Sequence, residues 1–328
     1  MGNLALTYYR EGKYAQAEAL HTQVLEIGRR VLGEEHPDTL ISMNNLALVH
    51  LDEGRYVEAE ALHAKVLQIR RRVLGEDHPD TLSSMNNLAI TYSFEGQYAQ
   101  AEVLHVKGLE IRRRVLGEEH PNTLNSMNNL AFVYGEEHKY TEAEALYAKA
   151  LEMERHALGE EHPIRLSSMH NLAVLYRRQA KYDQAEQLDI KALQIRRRVL
   201  GPQHPGTTDS MASLGELWLL EHRYTEPEPL LREALNTLQR ASPDSWKRYY
   251  LESLLGASLT GQKRYAEAEP LLLSGYAGLI QRRAAMRADT KSNLTQAGEW
   301  IVQLYRDWGK PEKATEWRTT LASSAAGR

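Results

Sequence analysis

The stretch "GEEHPDTLISMNNLALVHLDEGRY", Gly33 to Tyr56, returns almost letter for letter as "GEDHPDTLSSMNNLAITYSFEGQY" from Gly75. Two further copies, "GEEHPNTLNSMNNLAFVYGEEHKY" from Gly117 and "GEEHPIRLSSMHNLAVLYRRQAKY" from Gly159, keep the same spacing. Met1, Met43, Met85, Met127, Met169 and Met211 stand 42 residues apart, and so do Tyr14, Tyr56, Tyr98, Tyr140, Tyr182 and Tyr224. Self-similarity at one fixed period of this length marks a stacked-repeat architecture.

Within a copy the apolar residues have helical spacing. Ala59, Leu62, Val66, Ile69 and Val73 recur at three and four, and Leu40, Met43 and Ala47 do the same upstream. Between them "DEGRY" holds Gly54, which accepts the left-handed backbone of a tight helix stop. In "HPDT", Pro37 suits the first helical position, His36 fits the N-cap and Asp38 complements the helix dipole. Each unit is therefore a helical hairpin. One hairpin cannot bury its apolar faces alone, so neighbours must stack and share a core.

Six units run over residues 1–241, the first lacking the "HPDTLIS" portion, and residues 242–328 hold degenerate units and capping helices. Tyr265 with "AEAEPLL", and "IVQLYRDWGKPEKATEWRTTLA" with Tyr305, Gly309 and Ala314, bring the count to about eight hairpins. His138, Ala180 and His222 replace the turn glycine, and Pro227 and Pro229 enter the first turns of a second helix, which predicts a locally bent hairpin. "SPDSW", Ser242 to Trp246, is the next helix start. All five tryptophans, from Trp218 to Trp317, lie beyond the fifth unit, so the C-terminal region has its own packing.

Leu46, Ala47, His50, Gly54, Tyr56 and Ala59 fall where tetratricopeptide repeats place Leu, Gly or Ala, Tyr, Gly, Tyr and Ala; Leu88, Ala89, Tyr92, Gly96, Tyr98 and Ala101 follow in the third unit. With "HPDT", "NNLA" and "LEIRRRVLG", the 42-residue unit resembles the kinesin-light-chain type of that family. The C-terminal wording, "YAEAEPLLLSGYAGL" and "LYRDWGKPEKATEWR", is similar to repeat tails of bacterial signalling proteins such as serine/threonine kinases. The resemblance implies an all-α fold, a right-handed superhelix or α-solenoid whose first helices line a concave groove for an extended peptide or partner helix.

The 40 Lys and Arg against 44 Asp and Glu give no global pull toward nucleic acid or anionic membrane. With no cysteine, disulfides and thiolate metal sites are excluded. The N-terminus has no basic region followed by an apolar run, and a cytoplasmic location is expected. His36, His78, His120, His162 and His204 recur once per repeat, roughly 10 Å apart if stacked, too far for one ion, so they read as caps. His21, His63, His105 and His50 read as satisfied interior histidines, and no metal or cofactor is expected. The runs Arg70–Arg72, Arg112–Arg114 and Arg196–Arg198 precede acidic loops, which points to a solvated, salt-bridged convex face rather than a nucleic-acid site. No nucleophile elbow or glycine-rich phosphate loop occurs, so no enzyme is expected.

Asparagine in a helix interior loses propensity relative to alanine, so "NN" must be compensated. By resemblance the first of each pair and the residue four later face the groove: Asn44 with Leu48, Asn86 with Ile90, Asn128 with Phe132, and His170 with Val174 in the fifth unit. The second Asn of each pair, Asn45, Asn87 or Asn129, ties neighbouring hairpins or leaves all these amides as bridges. Arg177 and Arg178, where the second unit has Leu51 and Asp52, predict that an acidic ligand segment docks there. The expected function is non-catalytic protein or peptide binding. Its alternatives are a regulatory segment of a larger signalling enzyme acting in cis, and a scaffold that self-associates end to end or is continued by an N-terminal extension.

Overall fold

The structure, a computed structural model, describes residues 1–286 and 290–326. Sixteen α-helices pair in chain order among these residues. The pairs are α1 (Gly2–Arg10) with α2 (Tyr14–Val31), α3 (Pro37–Glu53) with α4 (Tyr56–Leu74), α5 (Pro79–Phe94) with α6 (Tyr98–Leu116) and α7 (Pro121–Glu136) with α8 (Tyr140–Ala157). They continue as α9 (Pro163–Arg178) with α10 (Tyr182–Leu200), α11 (Pro205–Leu220) with α12 (Pro227–Ala241), α13 (Trp246–Gly261) with α14 (Tyr265–Gln281) and α15 (Ser292–Asp307) with α16 (Pro311–Ala326). No strand occurs among the described residues, and none of these helices is long and apolar enough to cross a membrane. The fold is the all-α class of stacked helical hairpins, the α-solenoid. It divides into two compact units, residues 1–175 and residues 176–286 with 290–326, the division falling inside α9.

The first helices start as "HPDT" demands. His36 has extended dihedrals, φ −63 and ψ 138, and its Nδ1 accepts from the Asp38 backbone N–H at 3.2 Å. His78, His120, His162 and His204 repeat this at 3.1–3.2 Å, so all five cap helices. Gly54 ends α3 at φ 85. Where glycine is replaced the backbone does not change: His138, Ala180 and His222 hold φ 61, 56 and 59.

In residues 1–175 each core cluster draws on three successive helices. Leu40, Met43 and Leu46 of α3 meet Val66 and Ile69 of α4 and Leu25 of α2. Leu82, Met85 and Leu88 of α5 meet Ile111 of α6 and Leu67 of α4, and Leu124, Met127 and Leu130 of α7 meet Ala150 of α8 and Leu109 of α6. A hairpin is thus unfinished without its predecessor. Each fully buried methionine or leucine contributes roughly 1.5–3 kcal/mol.

The arginine runs are more divided than expected. The first of each turns inward: Arg70 donates to Ser84 Oγ at 2.9 Å, Arg112 to Ser126 Oγ at 2.5 Å, and Arg196 to Ser210 Oγ. The other two members pair with loop acids: Arg71 with Glu76 at 3.3 Å and Arg113 with Glu118 at 3.6 Å, Arg72 with Glu35, and Arg114 with Asp77 at 2.6 Å. Serine at the fourth helical position after Asp80 or Asn122 supplies the acceptor, a partner that helical spacing within one unit does not reveal. His21, His63 and His105 are buried. His63 Nδ1 meets Thr91 Oγ1 at 2.8 Å, while Nε2 of His63 and of His105 has no hydrogen-bond partner. Burial pushes both rings down to about 4.

In residues 176–286 and 290–326 the prolines cost α12 its first turn. It begins at Pro227, whereas α4, α6, α8 and α10 begin at the repeat tyrosine. Ser245 caps α13 through the Lys247 N–H. Gly261 is required by close approach, since a Cβ there would fall 2.1 Å from the Tyr224 ring. Trp300 stacks on Tyr250, Trp308 on Tyr265, and Trp317 meets Tyr276 edge to face, which is the separate aromatic packing that the tryptophan distribution predicts.

Candidate functional site

The "NN" pairs sit mid-helix on α3, α5 and α7, and their amides form bridges from one hairpin to the next. Asn87 Nδ2 donates to Asn44 Oδ1 at 2.6 Å, and Asn129 Nδ2 donates to Asn86 Oδ1 at 2.7 Å. These bonds compensate the lost helix propensity. Each bridge uses one carbonyl oxygen and one NH2 group. A carboxamide carries both, so the Nδ2 donors of Asn44 and Asn86 and the Oδ1 acceptors of Asn87 and Asn129 lie outside these bonds.

Asn128 is placed differently from Asn44 and Asn86. It is buried, and its Nδ2 donates to the Leu124 carbonyl at 3.2 Å and to Glu154 Oε1 at 2.9 Å. Glu154 stands where Arg70, Arg112 and Arg196 stand in other units, is fully buried, and also accepts from Ser168 Oγ at 2.7 Å. Burial pushes its carboxyl above the usual range, against the hydrogen bonds from Ser168 and Asn128.

Of the remaining expected contacts, Leu48, Ile90, His170 and Val174 are half-buried, and Phe132 is exposed at 43%. Arg177 is largely engaged with the next hairpin, donating to Ser213 Oγ of α11 at 3.0 Å with Glu216 3.8 Å away. Arg178 is exposed.

A recess of about 270 Å³ opens beside the second bridge, lined by Ser83, Asn86, Asn87, Asn125, Asn129 and Arg112. Ser83 and Asn125 were not among the residues expected from the sequence. Each lies three residues before the first asparagine position of its helix, on the same face, which is the signal that would have found them. In residues 176–286 and 290–326 a second recess, about 490 Å³, is lined by Tyr224, Thr260, Gln296, Glu299, Trp300 and Gln303 among others. Glu299 and Gln303 take the Asn44 and Leu48 positions in the last, weak unit, whose divergence hides them from a motif search.

The profile of the tetratricopeptide repeat family matches residues 1–56, 41–113, 94–153, 127–189 and 165–240. A crystal structure of kinesin-light-chain TPR-like repeats from Podosopora anserina is 31% identical, covering 61% of this chain and 94% of that one at a TM-score of 0.53. The apo quorum sensor NprR from B. thuringiensis, 14% identical, shares the fold over 98% of this chain and 88% of its own at 0.66. A nucleotide-binding leucine-rich-repeat-like protein of Hyaloscypha variabilis is 50% identical over 42 residues, 13% of this chain and 4% of its own length. Period, hairpin geometry and profile agree, and the chain belongs to the tetratricopeptide repeat family, with repeats of the kinesin-light-chain type.

Proposed function

We propose that the chain is a non-catalytic protein-interaction module and that the face carrying Asn44, Leu48, Asn86, Ile90 and Phe132 binds an extended peptide through its main chain. The observation that carries this is the half-used amide ladder. Bridging fixes each carboxamide in place and leaves a donor and an acceptor per bridge, the pair that a peptide backbone needs. Equivalent helices packed at roughly 8–10 Å against a peptide advancing about 3.3 Å per residue put one bridge opposite every third ligand residue. His170 and Val174 extend the same face on α9. Arg177, tied to Ser213, contributes little to ligand charge.

The test is a peptide selected from a random display library against the full chain, then measured by calorimetry. Asn86→Ala is expected to weaken it by about 1 kcal/mol, the worth of one hydrogen bond, at nearly unchanged melting temperature. Asn128→Ala is expected to lower the melting temperature, because buried Glu154 loses a donor, and to leave affinity intact. Undiminished binding by Asn86→Ala would place the ligand elsewhere.

A further inference from the structure

At two of the hairpin turns a cation is held between two carboxylates beneath an aromatic ring. Lys139 Nζ lies 2.7 Å from Glu102 and 2.9 Å from Glu137, under Tyr134 at 5.4 Å from the ring centre. Arg223 lies 3.0 Å from Glu186 and 3.3 Å from Glu221, under Trp218. The second hairpin keeps the carboxylates, Glu18 and Glu53, and the cation, Arg55, at 2.6 and 3.5 Å. It replaces the ring with His50. Tyr92, Tyr134, Tyr176 and Trp218 occupy that position in the following units, and none of them offers a ring nitrogen with a lone pair.

His50 is 5% exposed, and its buried Nδ1 has no hydrogen-bond partner. An orphaned buried nitrogen is costly unless something takes its lone pair or proton. It faces Glu18 Oε1 at 3.7 Å, and the ligand atoms of Glu18, His50 and Glu53 all lie within 4.8 Å of one another. Ligands bound at about 2.0–2.2 Å in tetrahedral geometry sit roughly 3.4 Å apart, so a small contraction closes the set. His50 and Glu53 are three apart on one face of α3, and Glu18 comes from α2 in the preceding hairpin.

We propose that Glu18, His50 and Glu53 form a binding site for a divalent transition-metal ion such as zinc, which takes the place of the Arg55 guanidinium. One imidazole nitrogen and two carboxylate oxygens are a borderline donor set of the kind zinc accepts, with water completing the coordination through the partly exposed carboxylates. Arg55 has somewhere to go: its Nε already lies 3.0 Å from Glu58 on the solvent side. Binding would clamp α2 to α3 and so couple the first hairpin to the second, stabilising the folded chain by mass action. The metal departs from what the sequence suggested, since His50 there reads only as a replaced core tyrosine.

The experiment is a titration of the EDTA-stripped full chain with zinc by calorimetry, with thermal melts alongside, on the wild type, H50Y, E18Q and R55Q. H50Y installs the ring of the neighbouring units, and E18Q changes a partly exposed carboxylate, so at least one variant keeps the fold. We expect one zinc equivalent in the wild type, at least tenfold weaker binding in H50Y and E18Q, and at least tenfold tighter binding in R55Q. Absence of zinc binding in both wild type and R55Q overturns the site. Equal affinity and stoichiometry in wild type, H50Y and E18Q also overturns it, by assigning the zinc to other histidines.

Discussion

At one position of the second helices, 42 residues apart, the chain writes His21, His63, His105, Tyr147 and Asp189, all buried. The environment decides each one's charge. Desolvation holds His63 and His105 at about 4 and raises Asp189 to about 6, so the histidines stay neutral at pH 7. A histidine whose folded value lies below its unfolded value of about 6.5 contributes stability above that pH and loses it as pH falls toward the folded value. The loss reaches about 1.4 kcal/mol per pH unit for each histidine. His105→Tyr, which installs the residue of the next unit, is expected to flatten the fall in urea midpoint between about pH 6.5 and 4. An unchanged pH slope would show that His105 is not titrating there. That these positions are interior was readable from helical spacing. Their unpaired Nε2 atoms were not, because spacing gives burial but not the partner across the hairpin. The same limit hid Glu154: its exchange with the inward arginine is visible in the repeat alignment, but its hold on Asn128 depends on a helix 26 residues away.

At the scale of the element, the hairpin turn tolerates residues that its backbone does not favour. Gly54, Gly96 and Gly12 occupy left-handed dihedrals at no steric cost, while Ala180 holds φ 56 with a Cβ that crowds its own backbone. Tyr176 and Arg177 carbonyls accept the N–H groups of Lys181 and Ala180, so the turn is fixed by its hydrogen bonds whatever residue stands in it. Ala180→Gly is therefore expected to stabilise residues 176–286 by about 0.5–1 kcal/mol, relief of strain outweighing the added unfolded-state entropy. A thermal melt checks it, and a lower melting temperature would contradict the strain. The turn was readable in full, since a gap of two or three residues between periodic segments admits little else. The late start of α12 was readable only in part: prolines at 227 and 229 signalled a disturbed first turn, whereas the hold on the Tyr224 carbonyl, which accepts from Ser258 Oγ and Gln262 Nε2, depends on a helix 34 to 38 residues further along the chain.

At the scale of the molecule, repetition is a way to finish a core that no hairpin can finish alone. Leu25, Leu67 and Leu109 each reach forward from one second helix into the next hairpin's cluster, so the same sentence must be written again for the same surface to be covered. That logic extends to polar groups, because Asn87 and Asn129 reach back to Asn44 and Asn86 at the same 43-residue offset. The bridge fixes the amides, and those of Asn86, Asn87 and Asn129 line a recess beside it. A nitrogen-15 titration that follows the side-chain amides of Asn44, Asn86 and Asn128 while the selected peptide is added distinguishes bridges that also grip a ligand from bridges that only hold helices together. We expect the Asn44 and Asn86 NH2 signals to shift with the saturation curve of the peptide while that of Asn128, locked on Glu154, stays in place. Peptide saturation with both Asn44 and Asn86 unmoved would show the ladder to be purely structural.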